Sequence, residues 1–294
     1  MKFAIYAQTY KPSYKQIVEK LVRSIRANHG EILFEKPFYE MLKENEVLDY
    51  DYETFEDYND LDETTHFFVS IGGDGTMLRA ANFVKNKNIP LIGVNAGRLG
   101  FLANVQENAI EFLIPLLFSN QYTLSRRTLL QLNKPSVEHT NFKVNFALNE
   151  ITVARKNTTS MITVDTYIDD EFLATYWADG LIISTPTGST GYNLSCGGPI
   201  IAPSSNCLVI TPIAPHNLTT RPLIVSDRSK IRMKIQSREN EFLLSMDSDA
   251  TTLSTDDEIE ISISNHTVNL VEFPSVTFLK TLRNKLLWGE DKRN

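Results

Sequence analysis

Cysteine is scarce in this chain of 294 residues: Cys196 and Cys207 are the only two. Two thiols with no partner motif exclude a disulfide scaffold and a cysteine-based zinc site, and fit reduced thiols in a cytosolic protein. Long apolar runs are missing as well. No stretch reaches the roughly twenty apolar residues that cross a bilayer. The opening MKFAIYAQTY has a lysine but no apolar core of signal-peptide length. These absences predict a soluble, cytoplasmic protein. Basic residues are outnumbered, 29 Lys and Arg against 36 Asp and Glu, for a net charge of −7. Nucleic acid and anionic membrane are therefore excluded as bulk partners, while a local site for an anionic ligand is not. Internal repeats and low-complexity segments are also lacking.

What is present is globular: 42% hydrophobic and 22% charged residues, enough apolar material to argue against disorder. The length suits one large or two modest domains, and a chain of this size needs neither disulfides nor a structural metal to hold its core. Lys2 to Ala7 reads as a strand, and Ser13 to Asn28 as a helix with Ile17, Leu21, Val22 and Ile25 on one face and Gly30 just beyond. Glu31 to Phe34 reads as a strand and Pro37 to Glu46 as a helix. Asp49 to Glu63 shows no period and reads as a solvated acidic connection. Thr65 to Ile71 and Ile89 to Val94 are apolar runs of buried-strand type, separated by a helix from Thr76 to Asn86.

This alternation predicts an α/β N-terminal domain with a parallel Rossmann-like sheet, spanning 1–124. From 125 the texture changes. LLQLN, KVNFALNEITVAR, MITVDTYID, EFLATYWADGLIIST, KIRMKIQ and EIEISIS alternate with period two between turn residues, which predicts a mostly antiparallel β domain over 125–272. A C-terminal helix follows in the tail 273–294, with Val276, Leu279, Leu282, Leu286 and Leu287 at helical spacing. That tail is expected to pack back on the first domain.

The chemistry concentrates where a buried strand turns into a helix, at Ile71-Gly72-Gly73-Asp74-Gly75-Thr76. Glycines there permit positive φ and close approach of a ligand to the backbone, and the exposed N–H groups of the helix end favour phosphate. The run is neither a Walker A loop nor the spaced glycines of a dinucleotide fingerprint. A plain strand-to-helix turn capped by Asp74 would look the same. Yet a carboxylate among phosphate-binding amides repels the ligand unless it holds a divalent metal or accepts a proton from an attacking hydroxyl.

GGDGT after a strand resembles the signature shared by NAD kinases, the diacylglycerol and sphingosine lipid kinases and, more distantly, phosphofructokinases. Further segments resemble the NAD kinase family in particular: Asn95-Ala96-Gly97-Arg98-Leu99-Gly100-Phe101-Leu102, the pair Asn149-Glu150, Asp179-Gly180 leading into Ser184 to Tyr192, Pro212-Ile213-Ala214-Pro215-His216, and Arg221-Pro222. The resemblance implies transfer of the terminal phosphoryl group of ATP to the 2′-hydroxyl of the adenosine ribose of NAD. It implies Asp74 as the proton acceptor and Gly72, Gly73 and Gly75 as the phosphate cradle, with Arg79 a weaker phosphate contact. Asn149, Glu150, Asp179, Thr190, Gly191, Tyr192, Asn193, Leu194, Ser195 and Ala214 would form the dinucleotide pocket. A divalent cation such as Mg²⁺ would arrive with ATP, and the chain would assemble as a homodimer or homotetramer through its β domain.

The residues themselves fit those roles. Burying Asn149 and Glu150 without partners would cost several kcal/mol in total, roughly, so either neighbouring backbone groups satisfy them or their side chains hydrogen-bond ligand hydroxyls. Hydroxyls between Ser184 and Ser195 offer both donors and acceptors, and Tyr192 offers a face for a flat base. Pro186 and Tyr192 predict an ordered segment there. His216 reads as a surface residue, and Asp256-Asp257-Glu258 as a solvated turn and not a metal site. Asp247-Ser248-Asp249 departs from the Asp-Gly-Gln of many relatives, which leaves the role of that stretch open. Two rivals share the motif. A lipid kinase needs a membrane-facing apolar or basic surface that this acidic chain does not offer, and a dinucleotide sensor has no use for a carboxylate at the phosphates.

Overall fold

The computed structural model describes residues 1–156 and 160–289; the part of the expected tail beyond 289 lies outside the described residues. The chain divides into two compact units, Met1–Arg126 together with the stretch from Val268 onward, and Arg127–Thr267.

The first unit alternates strands and helices: β1 (Lys2–Tyr6), α1 (Tyr14–Ala27), β2 (Glu31–Glu35), α2 (Lys36–Glu44), β3 (Glu53–Phe55), β4 (Thr65–Gly72), α3 (Asp74–Val84), β5 (Leu91–Asn95), β6 (Val105–Gln106) and α4 (Ile110–Phe118). Strands run parallel in the order β5-β4-β1-β2-β3, with β6 beside β5. β1, β4 and β5 are buried almost throughout, as expected of central parallel strands covered on both faces. Helix α1 buries Ile17, Val18, Leu21 and Ile25. The Glu35 side chain caps α2 by accepting the Phe38 N–H at 2.9 Å, and Pro37 sits in the first turn, where its missing N–H costs nothing.

Two parts of this unit differ from the sequence reading. The acidic connection is not wholly solvated: it contains β3, parallel to β2, and both Phe55 and Leu61 are buried. A short edge strand anchored by two widely spaced apolar residues leaves no period to read. Helix α4 was not expected, because IEFLIPLLF is almost continuously apolar and Pro115 interrupts it. Its buried residues Ile110, Leu113, Ile114 and Leu117 nonetheless follow helical spacing.

The second unit begins in β7 (Thr123–Lys134), whose first residues belong to the first unit. It continues through β8 (Phe146–Ala147), β9 (Glu150–Ala154), β10 (Ile162–Ile168), β11 (Glu171–Ala178), β12 (Gly180–Ser184), the single-turn α5 (Tyr192–Ser195), β13 (Cys207–Ile213), β14 (Leu223–Ser226), β15 (Ile231–Gln236), β16 (Glu241–Met246), β17 (Asp249–Ser254) and β18 (Ile259–Glu272). One antiparallel sheet runs β11-β10-β15-β18 and the other β14-β13-β12-β9-β16-β17. Their alternating inner residues, among them Ile151, Val153, Val164, Leu181, Ile183, Ile210, Met233, Phe242, Leu244 and Ile261, form one core.

The expected run KVNFALNEITVAR is broken between β8 and β9. The N–H groups of Leu148, Asn149 and Glu150 all go to the Asp247 carboxylate, so the break has a specific cause. EFLATYWADGLIIST is likewise two strands, parted at Asp179. The chain returns to the first unit along the end of β18, where Leu270 pairs in parallel with Leu91 of β5. It then forms α6 (Phe278–Leu286), capped by Thr277, whose side chain accepts the Lys280 N–H. The expected apolar stripe is only partly buried there. Leu282 is covered, whereas Leu279 is exposed, and Leu287 takes a left-handed φ of 51° that ends the helix.

Candidate active site

At the end of β4, Gly72 has φ +156°, and a Cβ there would lie 2.3 Å from Thr76 Oγ1. The turn therefore demands glycine at that position. At Gly73 and Gly75 a Cβ would meet nothing within 4 Å, so these two leave open space above the first turn of α3 instead of solving a packing problem. Asp74 opens α3 but does not cap it. Its carboxylate points to the loop after β5, where Oδ2 accepts the Phe101 N–H at 3.0 Å and Oδ1 accepts those of Leu102 and Ala103, each at 2.9 Å.

That loop is pinned from inside. Asn95, nearly buried, donates to the Arg98 and Ala103 carbonyls and accepts the Gly97 N–H at 2.7 Å. A Cβ at Gly100 would fall 2.0 Å from Asp74 Oδ1, so only glycine admits the carboxylate. From α6, Lys285 Nζ lies 3.5 Å from Asp74 Oδ2 and 4.9 Å from the centre of the Phe101 ring. Arg79 is half-buried on α3 and has partners of its own. Its charge acts on Tyr6, whose hydroxyl burial pushes up to about 12.

In the second unit a polar cluster forms around the break before β9. Gly191 is tight against the Asn149-Glu150 pair: a Cβ there would sit 3.1 Å from Glu150 Oε2 and 3.3 Å from Asn149 Nδ2. The Tyr192 backbone N–H acts on the Glu150 carboxyl, opposing the upward push of burial. Asn149 Oδ1 and Glu150 Oε2 are buried with no hydrogen-bond partner. Asp179 pairs with Arg155 at 2.9 Å, and its charge, like that of Glu150, acts on the Tyr192 hydroxyl. Tyr192 is 45% exposed, and its hydroxyl is pushed up by burial and by the neighbouring Cys196 thiol.

Two neighbouring carboxyls are driven apart in this cluster. Glu150 is pushed up to about 8, first by burial and then by the charge of Asp247. Asp247 is pushed up to about 6 by burial, against the pull of the N–H groups it accepts. At neutral pH Asp247 is therefore the ionised member and Glu150 the protonated one, able to donate.

The remaining sequence candidates separate. Asn193 is fully buried and its side chain is consumed internally, donating to the Ser189 and Pro199 carbonyls at 3.0 and 3.1 Å and accepting the Thr211 hydroxyl at 2.6 Å. It serves the fold, with no side-chain atom left for a ligand. Thr190 bonds back to the Thr187 carbonyl, Leu194 is half-buried and Ser195 is exposed. Ala214 is exposed in a strained left-handed conformation at φ 43°. His216 lies on the surface beside Trp177.

The family model described as the ATP-NAD kinase N-terminal domain matches residues 3–122, and that of the ATP-NAD kinase C-terminal domain matches 148–273. The chain belongs to the NAD kinase family. It is similar over its full length, and over theirs, to proteins named NAD kinase from Flavobacterium johnsoniae at 51% identity and Flavobacterium psychrophilum at 50%. A Bacteroides fragilis NAD kinase is 39% identical, again with both chains fully covered. Among solved structures, yeast NADH kinase complexed with NADH matches 99% of this chain and 89% of its own with a TM-score of 0.85 at 25% identity. An Archaeoglobus fulgidus NAD kinase in complex with ATP has the same fold, with a TM-score of 0.72 at 24% identity over 97% of each chain. The reaction is accordingly phosphoryl transfer from ATP to NAD.

Within this NAD kinase family chain, the sequence reading missed the residues that hold the candidates in place. Asn95, Gly100, Lys285 and Asp247 touch Asp74 or the Asn149-Glu150 pair, or fix what does. Asn95 and Gly100 lay in a segment already singled out and Asp247 in a stretch whose role was left open, while Lys285 carried no local signal.

Proposed function

We propose that Asp74 accepts the proton of the NAD 2′-hydroxyl as it attacks the terminal phosphorus of ATP, and that Asn149, Glu150, Asp179, Gly191 and Tyr192 hold the dinucleotide. The observation that carries this reading is the pair of orphaned buried atoms, Asn149 Oδ1 and Glu150 Oε2, on two side chains that both pack against Gly191. A buried polar atom without a partner costs about 1–3 kcal/mol, and ligand hydroxyl and amide groups would recover it. The open backbone at Gly73 and Gly75, at the positive end of α3, suits the phosphates.

Little covalent chemistry is asked of the protein in such a transfer; positioning and charge compensation lower the barrier. Asp74 suits the first task because three backbone N–H groups and a tight glycine fix its orientation. Those bonds and Lys285 also fill its acceptor positions, and the contact to Lys285, at 3.5 Å, is the one most easily exchanged for the ribose hydroxyl. No group of three or more His, Cys, Asp and Glu that could cage a metal occurs among the described residues. A Mg²⁺ ion would arrive on the triphosphate, where it would neutralise phosphate charge.

The decisive experiment supplies ATP with NAD or its 2′-deoxyadenosine analogue and follows phosphorylation, using a dehydrogenase-coupled readout for the NADP formed from NAD. NAD turns over and the deoxy analogue is inert as an acceptor. Turnover of the analogue would remove the 2′-hydroxyl from the mechanism. A homodimer or homotetramer is part of the same reading, and light scattering of the purified protein measures it.

A further inference from the structure

We infer that Asp247 is a positioning residue for the dinucleotide: it fixes the corner that carries Asn149 and Glu150 without touching the ligand itself. The inference rests on the reading of that pair as NAD contacts.

The geometry is specific. Asp247 lies at the turn between β16 and β17, on the strand neighbouring β9. Its Oδ2 accepts the Leu148 N–H at 2.9 Å, and its Oδ1 accepts those of Asn149 at 2.8 Å and Glu150 at 3.2 Å. Its own N–H donates to the Glu150 carbonyl at 3.0 Å. Consecutive amides that a continuous strand would commit to its neighbours are thus gathered onto one carboxylate. The chain can then leave the ladder and turn both side chains to the same cluster.

The opposite side of the corner is closed as well. The Thr185 hydroxyl donates to the Leu148 carbonyl at 2.6 Å, and the Thr185 N–H to that of Asn149 at 2.9 Å. A Cβ at Gly188 would come within 2.2 Å of the Asn149 carbonyl oxygen. Thr185 and Gly188 thus hold the corner on one side and Asp247 on the other. A carboxylate has two oxygens and four lone pairs to offer such a set of donors, which a carboxamide or hydroxyl does not. This gives the aspartate of the unusual Asp247-Ser248-Asp249 stretch a definite task.

Ionisation matters to that task. Asp247 faces Glu150 and Asp249, the Glu150 charge acts on Tyr192 and Cys196, and that of Asp179 acts on Tyr192. Glu150, pushed up to about 8, stays protonated through the acid range, so the group that changes state near pH 6 is Asp247. Protonation removes acceptor capacity from the corner.

The test compares Asp247→Asn and Asp247→Ala in the full chain, with Asn149→Ala alongside, reading KM for NAD, KM for ATP, kcat and melting temperature. Asn retains an oxygen able to serve Asn149 and Glu150, whereas Ala retains none. KM for NAD should rise in the order wild type, Asn, Ala, reaching about a hundredfold, the scale of a misplaced binding group. KM for ATP and kcat at saturating NAD should stay within about a factor of three of wild type, well below that scale. Melting temperatures that fall in the same order with an unchanged KM for NAD would overturn the proposal.

If neither variant folds, the wild-type enzyme decides: its KM for NAD should rise as pH falls through about 6, and a flat profile would overturn the proposal. If Asn149→Ala leaves KM for NAD unchanged, the reading of the pair as NAD contacts fails. If it raises KM while the Asp247 variants do not, only the role of Asp247 fails.

Discussion

Lys285 holds its ammonium 3.5 Å from Asp74 Oδ2, so the tail helix reaches the residue that opens α3. Phe278 of the same helix meets the Phe101 ring at 6.0 Å, and the loop that donates its amides to Asp74 is thereby braced from the tail. The pair is about one-third exposed on each side, and such pairs contribute only about 0–1 kcal/mol. Lys285→Met should therefore leave the melting temperature nearly unchanged. It also removes a cation beside the open glycine turn, which should raise KM for ATP about fivefold, the equivalent of about 1 kcal/mol, with KM for NAD unmoved. A lower melting temperature with an unaltered KM for ATP would make Lys285 a brace and nothing more.

Asp74→Asn should act on two measurements at once. Loss of the proton acceptor costs about a hundredfold to ten-thousandfold in kcat. The amide also points an N–H at Phe101 or at Leu102 and Ala103, which already donate, and a mismatched donor costs about 1–3 kcal/mol of stability. NAD should still bind. A variant with near-wild-type kcat takes Asp74 out of the chemistry, whatever its melting temperature.

Glu150 makes the unliganded protein sensitive to base. Its carboxyl rises from 4.5 to about 8 on folding. Between those values the folded chain keeps a proton that the unfolded chain has released. Stability from this group is full below the unfolded value and is lost as pH climbs to the folded one. At about 1.4 kcal/mol per unit, the loss amounts to a few kcal/mol. Asp247, raised from 3.8 to about 6, adds a loss of the same sign at lower pH. Glu150→Gln should abolish the Glu150 part: its stability relative to wild type should increase with pH and level off above about 8. Denaturant titrations without NAD, from about pH 6 to pH 9, measure the difference. A constant difference across that range contradicts the assignment.

Much of this was legible in the sequence, for identifiable reasons. Buried parallel strands announce themselves as apolar runs, so β1, β4 and β5 and the helices α1 to α3 could be placed within a few residues. The glycine turn was visible because its glycines adjoin a strand and a helix. What could not be read were relationships set only by folding. Asp74 bonds a loop beginning at Asn95, and Asp247 bonds a corner at Leu148. The partner in each case is a run of backbone N–H groups, which have no letter in the sequence. Asn193 shows the converse: its letter lies in a segment of ligand-binding type, and only burial reveals that its side chain is spent on Ser189, Pro199 and Thr211.

Tyr192 and Asn193 are adjacent, and the structure assigns them opposite duties, which a paired substitution can expose. The Tyr192 ring is 45% exposed at the start of α5, and its surroundings are the Glu150 and Asp179 carboxyls and the Cys196 thiol. It fills no part of either apolar core. Stacking of a base on an aromatic ring contributes about 1–3 kcal/mol. Tyr192→Ala should therefore raise KM for NAD about tenfold, since 1.4 kcal/mol is a factor of ten. KM for ATP and the melting temperature should hardly move. Asn193→Ala removes three buried hydrogen bonds and leaves the Thr211 hydroxyl without its acceptor, at about 1–3 kcal/mol for each group stranded. It should melt several degrees lower, about 2 °C or more per kcal/mol in a chain of this size, and any change in KM for NAD should be secondary to that. Melting curves and both KM values on the two variants give the answer. If Tyr192→Ala melts low with KM for NAD intact, its ring is packing, and the adenine must be held elsewhere.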